Sequence, residues 1–382
     1  MILIKEADIY APEHLGIRDV LICGERVEAV GENLPALCNC RIIEARGKRL
    51  TPGLIDQHVH LVGGGGEGSF HTRTPEICLS ALIRSGITTV LGLLGTDDMT
   101  RSVENLVAKA KALTEEGITA YALCGAYGVP SLTITGSIKK DIAFINEIIG
   151  LKLAISDHRA PNISVDELIR LASDVRVAGM IGGKAGIIVI HMGDGAGRLD
   201  PVFEALEHTN IPAKTFHPTH MARTEELPQE GFKLAKLGGY MDITCDLSDP
   251  VRMPALLKEA RDQGVPMERL TFSSDGQGSW SNYDAYGNLA EIGVTDVGTM
   301  YAQLVNLVRD GNMDLSEALT YFTSNAARAL ELYPHKGHVA PGADADLLLL
   351  GPDLELDTVI ARGKLMLENG RLLVKGTYET NI

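Results

Sequence analysis

Eight short apolar runs, alternating with longer amphipathic segments, constrain what this chain can fold into more than any other feature. The runs cover residues 53–62, 88–95, 118–127, 150–157, 185–193, 213–220, 240–247 and 269–275. Between them lie segments such as 74–85, 97–116, 139–147, 165–178 and 250–263, most with apolar residues at helical spacing. Eight strand and helix repeats predict an α/β fold, a (β/α)8 TIM-type barrel with its active site at the C-terminal ends of the strands. A doubly wound open sheet is the alternative. Against it, no glycine fingerprint of the dinucleotide type follows the first run.

Both ends of the chain read differently. Short alternating stretches near Ile2, Asp19, Val27 and Arg41 are parted by turn residues such as Gly24 and Gly31, and stretches near Ala345, Leu356 and Arg371 have the same style. They predict one small β-sandwich domain built from residues 1–50 and 338–382, with the barrel spanning 51–337.

Composition narrows the function. The chain has 382 residues, is 45% hydrophobic and carries a formal net charge of −15. No basic patch offsets that charge, so neither nucleic acid nor an anionic membrane surface is an expected partner. Six scattered cysteines are too few for a disulfide framework. The first twenty residues carry Glu6, Asp8, Glu13 and Asp19 rather than a basic start and an apolar centre, and no stretch is long enough to span a bilayer. A cytoplasmic enzyme with reduced thiols is the expectation.

The first run ends in His58-Val59-His60. On a strand, residues two apart share a face, so both imidazoles can reach one metal ion. Taken alone, the pair fits two buried, hydrogen-bonded histidines equally well. The other runs decide it, because Lys152, His191, His220 and Asp275 all fall at or near the C-terminal halves of their strands. Any one of them alone has a plain structural reading; six at one rim point to a metal centre.

Lys152 projects opposite to Leu151, Leu153 and Ile155, into the barrel. Desolvation and nearby cations favour its neutral amine, which can add carbon dioxide. The resulting carbamate can bridge two metal ions. Lys184 is the rival lysine, but it lies seven residues before His191, roughly 23 Å along a strand, at the wrong end of the barrel. Four histidines, Asp275 and carboxylated Lys152 thus predict two metal ions per subunit, with zinc the first choice for imidazole and oxygen donors. A hydroxide bridging them is the expected nucleophile, and Asp275 can take its proton and pass it to the leaving group. Hydrolysis of an amide or a related bond follows.

These residues resemble the amidohydrolase superfamily. Pro52-Gly53-Leu54-Ile55-Asp56-Gln57-His58-Val59-His60 is similar to its first-strand motif, and the order His-x-His, Lys, His, His, Asp to its binuclear pattern. Within it, five stretches resemble the isoaspartyl dipeptidase family: Gly63-Gly64-Gly65-Gly66-Glu67-Gly68, Gly125-Ala126-Tyr127-Gly128, Ser156-Asp157-His158-Arg159, 217–223 and 274–279. A β-aspartyl dipeptide carries one ammonium and two carboxylates. Glu67 can meet the ammonium, while Arg159 and Arg223 can clamp the C-terminal carboxylate. The resemblance implies that Ser279, Thr96 and backbone N–H groups around Gly65 receive the aspartyl carboxylate. It also implies that Tyr127 polarises the scissile carbonyl, and that the protein is a large homo-oligomer such as an octamer.

Two other functions share parts of this pattern. A cyclic-amide hydrolase of the dihydropyrimidinase or hydantoinase kind uses a similar metal core, but Arg159 and Arg223 favour a dipeptide. A non-catalytic scaffold is disfavoured because every ligand position is filled. Gly182-Gly183-Lys184 lacks the spacing and the Ser/Thr of a phosphate-binding loop.

Overall fold

The computed structural model describes residues 1–379, so the last three residues of the expected 338–382 segment lie outside the described residues. Each of the eight apolar runs overlaps a strand, two of which begin one or two residues ahead of their run: β1 (Leu54–Val59), β2 (Ile87–Gly92), β3 (Thr119–Gly125), β4 (Ile148–Ile155), β5 (Ile187–Met192), β6 (Phe216–Thr219), β7 (Met241–Thr244) and β8 (Leu270–Ser273). The first six form one parallel sheet in chain order, and β7 pairs with β8. Backbone hydrogen bonds span the two seams. Met221 N donates to Asp242 O at 3.1 Å beside β6 and β7, and His60 N donates to Gly276 O at 2.9 Å beside β1 and β8. The chain is therefore an α/β protein with a TIM-type barrel.

Strand β5 shows why these runs fold this way. Ile187-Ile188-Val189-Ile190 is β-branched throughout and buried on both faces, as a parallel strand between a barrel interior and a helical layer must be. Ile188 and Ile190 pack into the outer core, whereas Ile187 and Val189 join Ile55, Leu91, Leu123 and Ile149 in the barrel interior. His191 continues the inward phase two residues after Val189. The same period that fills the barrel floor with isoleucine and valine thus delivers an imidazole to its rim.

Helices close the outer layer. The longest, Val165–Gly182, opens on a capping box in which Ser164 and Glu167 satisfy each other's backbone N–H groups. It stops where Gly183 turns left-handed at φ 64°. Its inner face is Leu168, Ala172, Val175, Ala178 and Gly179.

The terminal segments form one continuous sheet of nine strands, in which Arg49–Pro52 pairs with Leu347–Leu350. Four successive leucines join this sheet to the barrel. Leu347 and Leu349 enter the core of the terminal sheet, and Leu348 and Leu350 enter that of the barrel. Beyond β8, Ser279–Tyr283 and Leu289–Val294 form an antiparallel hairpin that hydrophobic periodicity does not announce. Its strands are largely exposed and carry polar residues on both faces, so the alternation that marks a half-buried strand is missing.

Candidate active site

All six expected metal-binding residues meet at the rim. His58, His220 and Asp275 bring one donor atom each within 4.8 Å of one another. Asp275 Oδ1 lies 3.4 Å from His58 Nε2 and 3.2 Å from His60 Nε2. Lys152 Nζ is 3.4 Å from His58 Nε2, and the His191 and His220 rings are 4.7 Å apart between centroids. His220 and Asp275 sit just past β6 and β8 in left-handed backbone, at φ 62° and 55°. Non-glycine residues occupy that region at a cost of order 1 kcal/mol, a strain typical of functional positions. At the end of β2, a Cβ on Gly95 would stand 2.8 Å from the His60 ring, so the imidazole needs a glycine there.

The chemistry of this cluster fits a cation. Burial above all, reinforced by surrounding positive groups, pushes His58 and His220 well below the ordinary imidazole range, so both are neutral donors. His191 is lowered as well, by burial first and then by Arg223. Asp275 Oδ1 and the Nδ1 atoms of His58 and His60 are buried with no hydrogen-bond partner in the chain. Lone-pair donors left unsatisfied out of water are costly, and a metal ion would relieve that cost. His220 Nδ1 is taken by Thr244 Oγ1 at 2.6 Å, which leaves Nε2 for the cluster.

Lys152 is fully buried. Burial lowers its pKa from 10.5 to about 7, with Asp275 and Asp242 opposing the shift. Lys184 is occupied elsewhere: its Nζ donates to the carbonyls of Ile142 and Ile148 at 2.6 and 3.0 Å.

The expected substrate residues ring the same mouth. Tyr127, past the end of β3, is buried and places its hydroxyl 2.6 Å from His191 Nδ1. Burial raises the phenol, which stays protonated and donates. Arg159 follows β4, and its Nη1 lies 3.3 Å from Glu67 Oε1. Ser279 Oγ donates to the same carboxylate at 2.9 Å. Sequence reasoning assigns Glu67 and Arg159 to opposite ends of a dipeptide, whereas here they pair with each other. Arg223 Nη1 donates to Met192 O at 2.9 Å and lies 3.1 Å from His191 Nε2. Thr96 Oγ1, one residue past Gly95, is buried and unpartnered. Gly65 has φ 73°, and a Cβ there would come 2.4 Å from Thr72 O.

Four supporting residues escaped the sequence reading. Asp157 Oδ2 accepts from Arg159 Nη2 at 2.7 Å and from His191 Nε2 at 2.9 Å. Burial opposes ionisation of Asp157, but Arg159 and His191 outweigh it and hold the carboxyl far below its usual range. Its place two residues before Arg159, at the end of an apolar run, was the available signal. Asp242 on β7 accepts from Gln57 at 2.7 Å, Thr219 at 2.7 Å and Ser273 at 2.6 Å, tying four strands beneath the cluster. Asp56 accepts from Ser274 Oγ at 2.5 Å. Arg101, nearly buried, donates to the carbonyls of Val62, Gly64 at 2.8 Å and Thr74 at 3.2 Å, clamping the glycine loop.

Known proteins resemble this chain in sequence and fold. The family model described as "Amidohydrolase family" matches residues 49–366. The β-aspartyl dipeptidase of Fervidobacterium islandicum AW-1, solved in complex with a β-Asp-Leu dipeptide, is 42% identical with a TM-score of 0.92, covering 97% of this chain and 98% of that one. An L-hydantoinase from Paenarthrobacter aurescens is 23% identical over 94% of this chain and 87% of its own. The D-hydantoinase of a Thermus species has a TM-score of 0.65 over 99% of this chain and 98% of its own, and at 16% identity that likeness speaks for the fold alone. Because the family match spans most of the chain, and the donors it leads one to seek meet at the strand ends, the chain belongs to the amidohydrolase family and is a hydrolase.

Proposed function

We propose that this chain is a metal-dependent β-aspartyl dipeptidase that hydrolyses the isopeptide bond of β-aspartyl (isoaspartyl) dipeptides. One observation carries the reading: a carboxylate, Glu67, and two guanidiniums, Arg159 and Arg223, stand at the mouth of a buried histidine, lysine and aspartate cluster. A zwitterionic dipeptide with a second carboxylate matches that charge pattern, and a neutral cyclic amide does not. The 42% identity to a β-aspartyl dipeptidase supports it.

His58, His60, His191, His220, Asp275 and carboxylated Lys152 would hold two zinc ions. Bound there, the metals supply Lewis-acid polarisation of the amide and lower the pKa of the attacking water. Arg159 and Arg223 bind the leaving residue's carboxylate. Glu67 takes the aspartyl ammonium, and Ser279, Thr96 and the backbone at Gly65 receive the aspartyl carboxylate. Tyr127 donates its hydroxyl proton in a hydrogen bond to the scissile carbonyl oxygen as negative charge develops there. Asp275 accepts a proton from water and returns it to the leaving nitrogen.

Metal analysis and an assay of β-aspartyl-leucine beside a hydantoin test the reading. Release of aspartate and leucine by a protein holding two zinc ions supports it. Cleavage of the hydantoin alone would give the hydantoinase reading instead, and a metal-free protein without hydrolysis would give the scaffold. The reading includes a reducing, cytoplasmic setting, supported by six unpaired cysteines, and a homo-oligomer, which light scattering tests. Among the described residues no helix is long and apolar enough to cross a membrane.

A further inference from the structure

Two cavities open beside the cluster, and Arg223, Trp280 and Asn282 form the wall between them. The first, about 430 Å³, is lined by both guanidiniums, Arg159 and Arg223, with Asp157 and Ser279. The second, about 410 Å³, opens on the cluster itself through His220 and Asp275; Ala222, Cys245, Met253 and Trp280 form the apolar part of its wall, and Arg223, Thr244, Asp246, Arg252, Asn282 and Thr295 the polar part. Ala222, Cys245 and Met253 are buried apolar residues of the barrel core. At its edge Arg252 is spent on Asp246, 3.2 Å away, and on the carbonyl of Ala222.

Resting on the dipeptidase reading, we propose that the second cavity is the subsite for the leaving residue's side chain, and that it selects aliphatic and thioether side chains. The leaving residue's Cα is bonded to the scissile nitrogen and carries both its carboxylate and its side chain. A carboxylate held by Arg159 and Arg223 occupies the first cavity. The side chain must then branch, within one bond of the reacting centre, into space that touches both Arg223 and the cluster. Only the second cavity among these two meets that condition. The apolar part of its wall offers methyl, thiol, thioether and indole surface, against which leucine or methionine is favoured by apolar burial. An acidic side chain meets the carboxylates of Asp246 and Asp275 and finds Arg252 already paired.

The test compares kcat/KM for β-aspartyl-leucine and β-aspartyl-glycine on one preparation of zinc-loaded enzyme. Because both substrates see the same active fraction, their ratio is immune to partial misfolding of a variant. In the wild type the ratio is expected to favour leucine by at least about tenfold. Cys245→Phe, which fills the cavity, should bring the ratio down about tenfold or more, largely through leucine. Met253→Ala, which enlarges it, should raise β-aspartyl-phenylalanine relative to β-aspartyl-leucine. Turnover of both dipeptides with ratios that neither substitution changes would overturn the subsite and leave the dipeptidase reading standing. Failure of the wild type to cleave either dipeptide would overturn both.

Discussion

The Tyr127 hydroxyl donates to His191 Nδ1 across 2.6 Å, while His191 Nε2 is held by Asp157 at 2.9 Å. A ring held at both nitrogens is fixed in orientation, so one of these two bonds must give way before His191 can offer a nitrogen to the cluster, and the buried phenol stands directly beside that ring. Burial keeps that phenol protonated. Tyr127→Phe removes the donor and little volume. Its kcat on β-aspartyl-leucine is expected to fall about 10²–10³-fold, the usual cost of one oxyanion donor. KM and zinc content should barely change; a kcat within threefold of wild type would refute the role.

Lys152 makes a pH-dependent prediction. A neutral amine adds carbon dioxide and an ammonium does not. With its pKa lowered to about 7, the lysine is mostly neutral above that pH and mostly charged below it. Uptake of carbon-13 bicarbonate by metal-stripped protein, followed by carbon-13 resonance, should therefore decline about tenfold per pH unit below 7. Lys152→Ala should show no carbamate signal, hold less zinc and lack turnover, with partial return on adding short carboxylic acids. Full activity of that variant without such acids would exclude the carbamate.

What the sequence made legible divides along a physical line. Strand β5 could be read because burial on both faces leaves a continuous β-branched run, and His191 because it interrupts that run in phase. Asp242 and Gln57 were not legible. Each sits in an apolar strand, and their partners Thr219, Thr271 and Ser273 come from β6 and β8, so the network exists only after closure of the barrel. The hairpin carrying Ser279 and Trp280 was hidden for another reason. It packs over a polar mouth rather than a core and shows no period. For Glu67, its type and loop could be read, but its 3.3 Å pairing with Arg159 depends on two loops 92 positions apart.

Asp56 lies beneath the cluster, where burial raises its carboxyl from 3.8 to about 7 although Ser274 and the backbone of His58 donate to it. Between about pH 4 and 7 the folded protein thus holds a proton that the unfolded chain has released. Stability falls as pH rises through that window. Asp56→Asn cannot ionise. In metal-stripped protein, wild type should lose unfolding free energy relative to this variant from pH 4 to 7, by up to roughly 4 kcal/mol. Urea midpoints that run parallel across the window would contradict the raised carboxyl.

Arg101 bears on the glycine loop rather than on the chemistry. Its guanidinium lies 27 to 39 positions along the chain from the carbonyls it holds, and it ties Val62 and Gly64 at the exit of β1 to Thr74 on the far side of the loop. Gly65 and Glu67 lie inside that clasp. Ionic hydrogen bonds to carbonyls near the barrel wall are worth about 1.5–3 kcal/mol each, so their loss should free the loop without disturbing the histidines. Arg101→Met is expected to raise KM for β-aspartyl-leucine about tenfold or more, leave zinc content intact and change kcat little. Arg101→Lys, which keeps the charge but cannot span three carbonyls as a planar fork, should recover only part of that KM. Equal falls in kcat and zinc content would instead mark Arg101 as a support of the whole barrel.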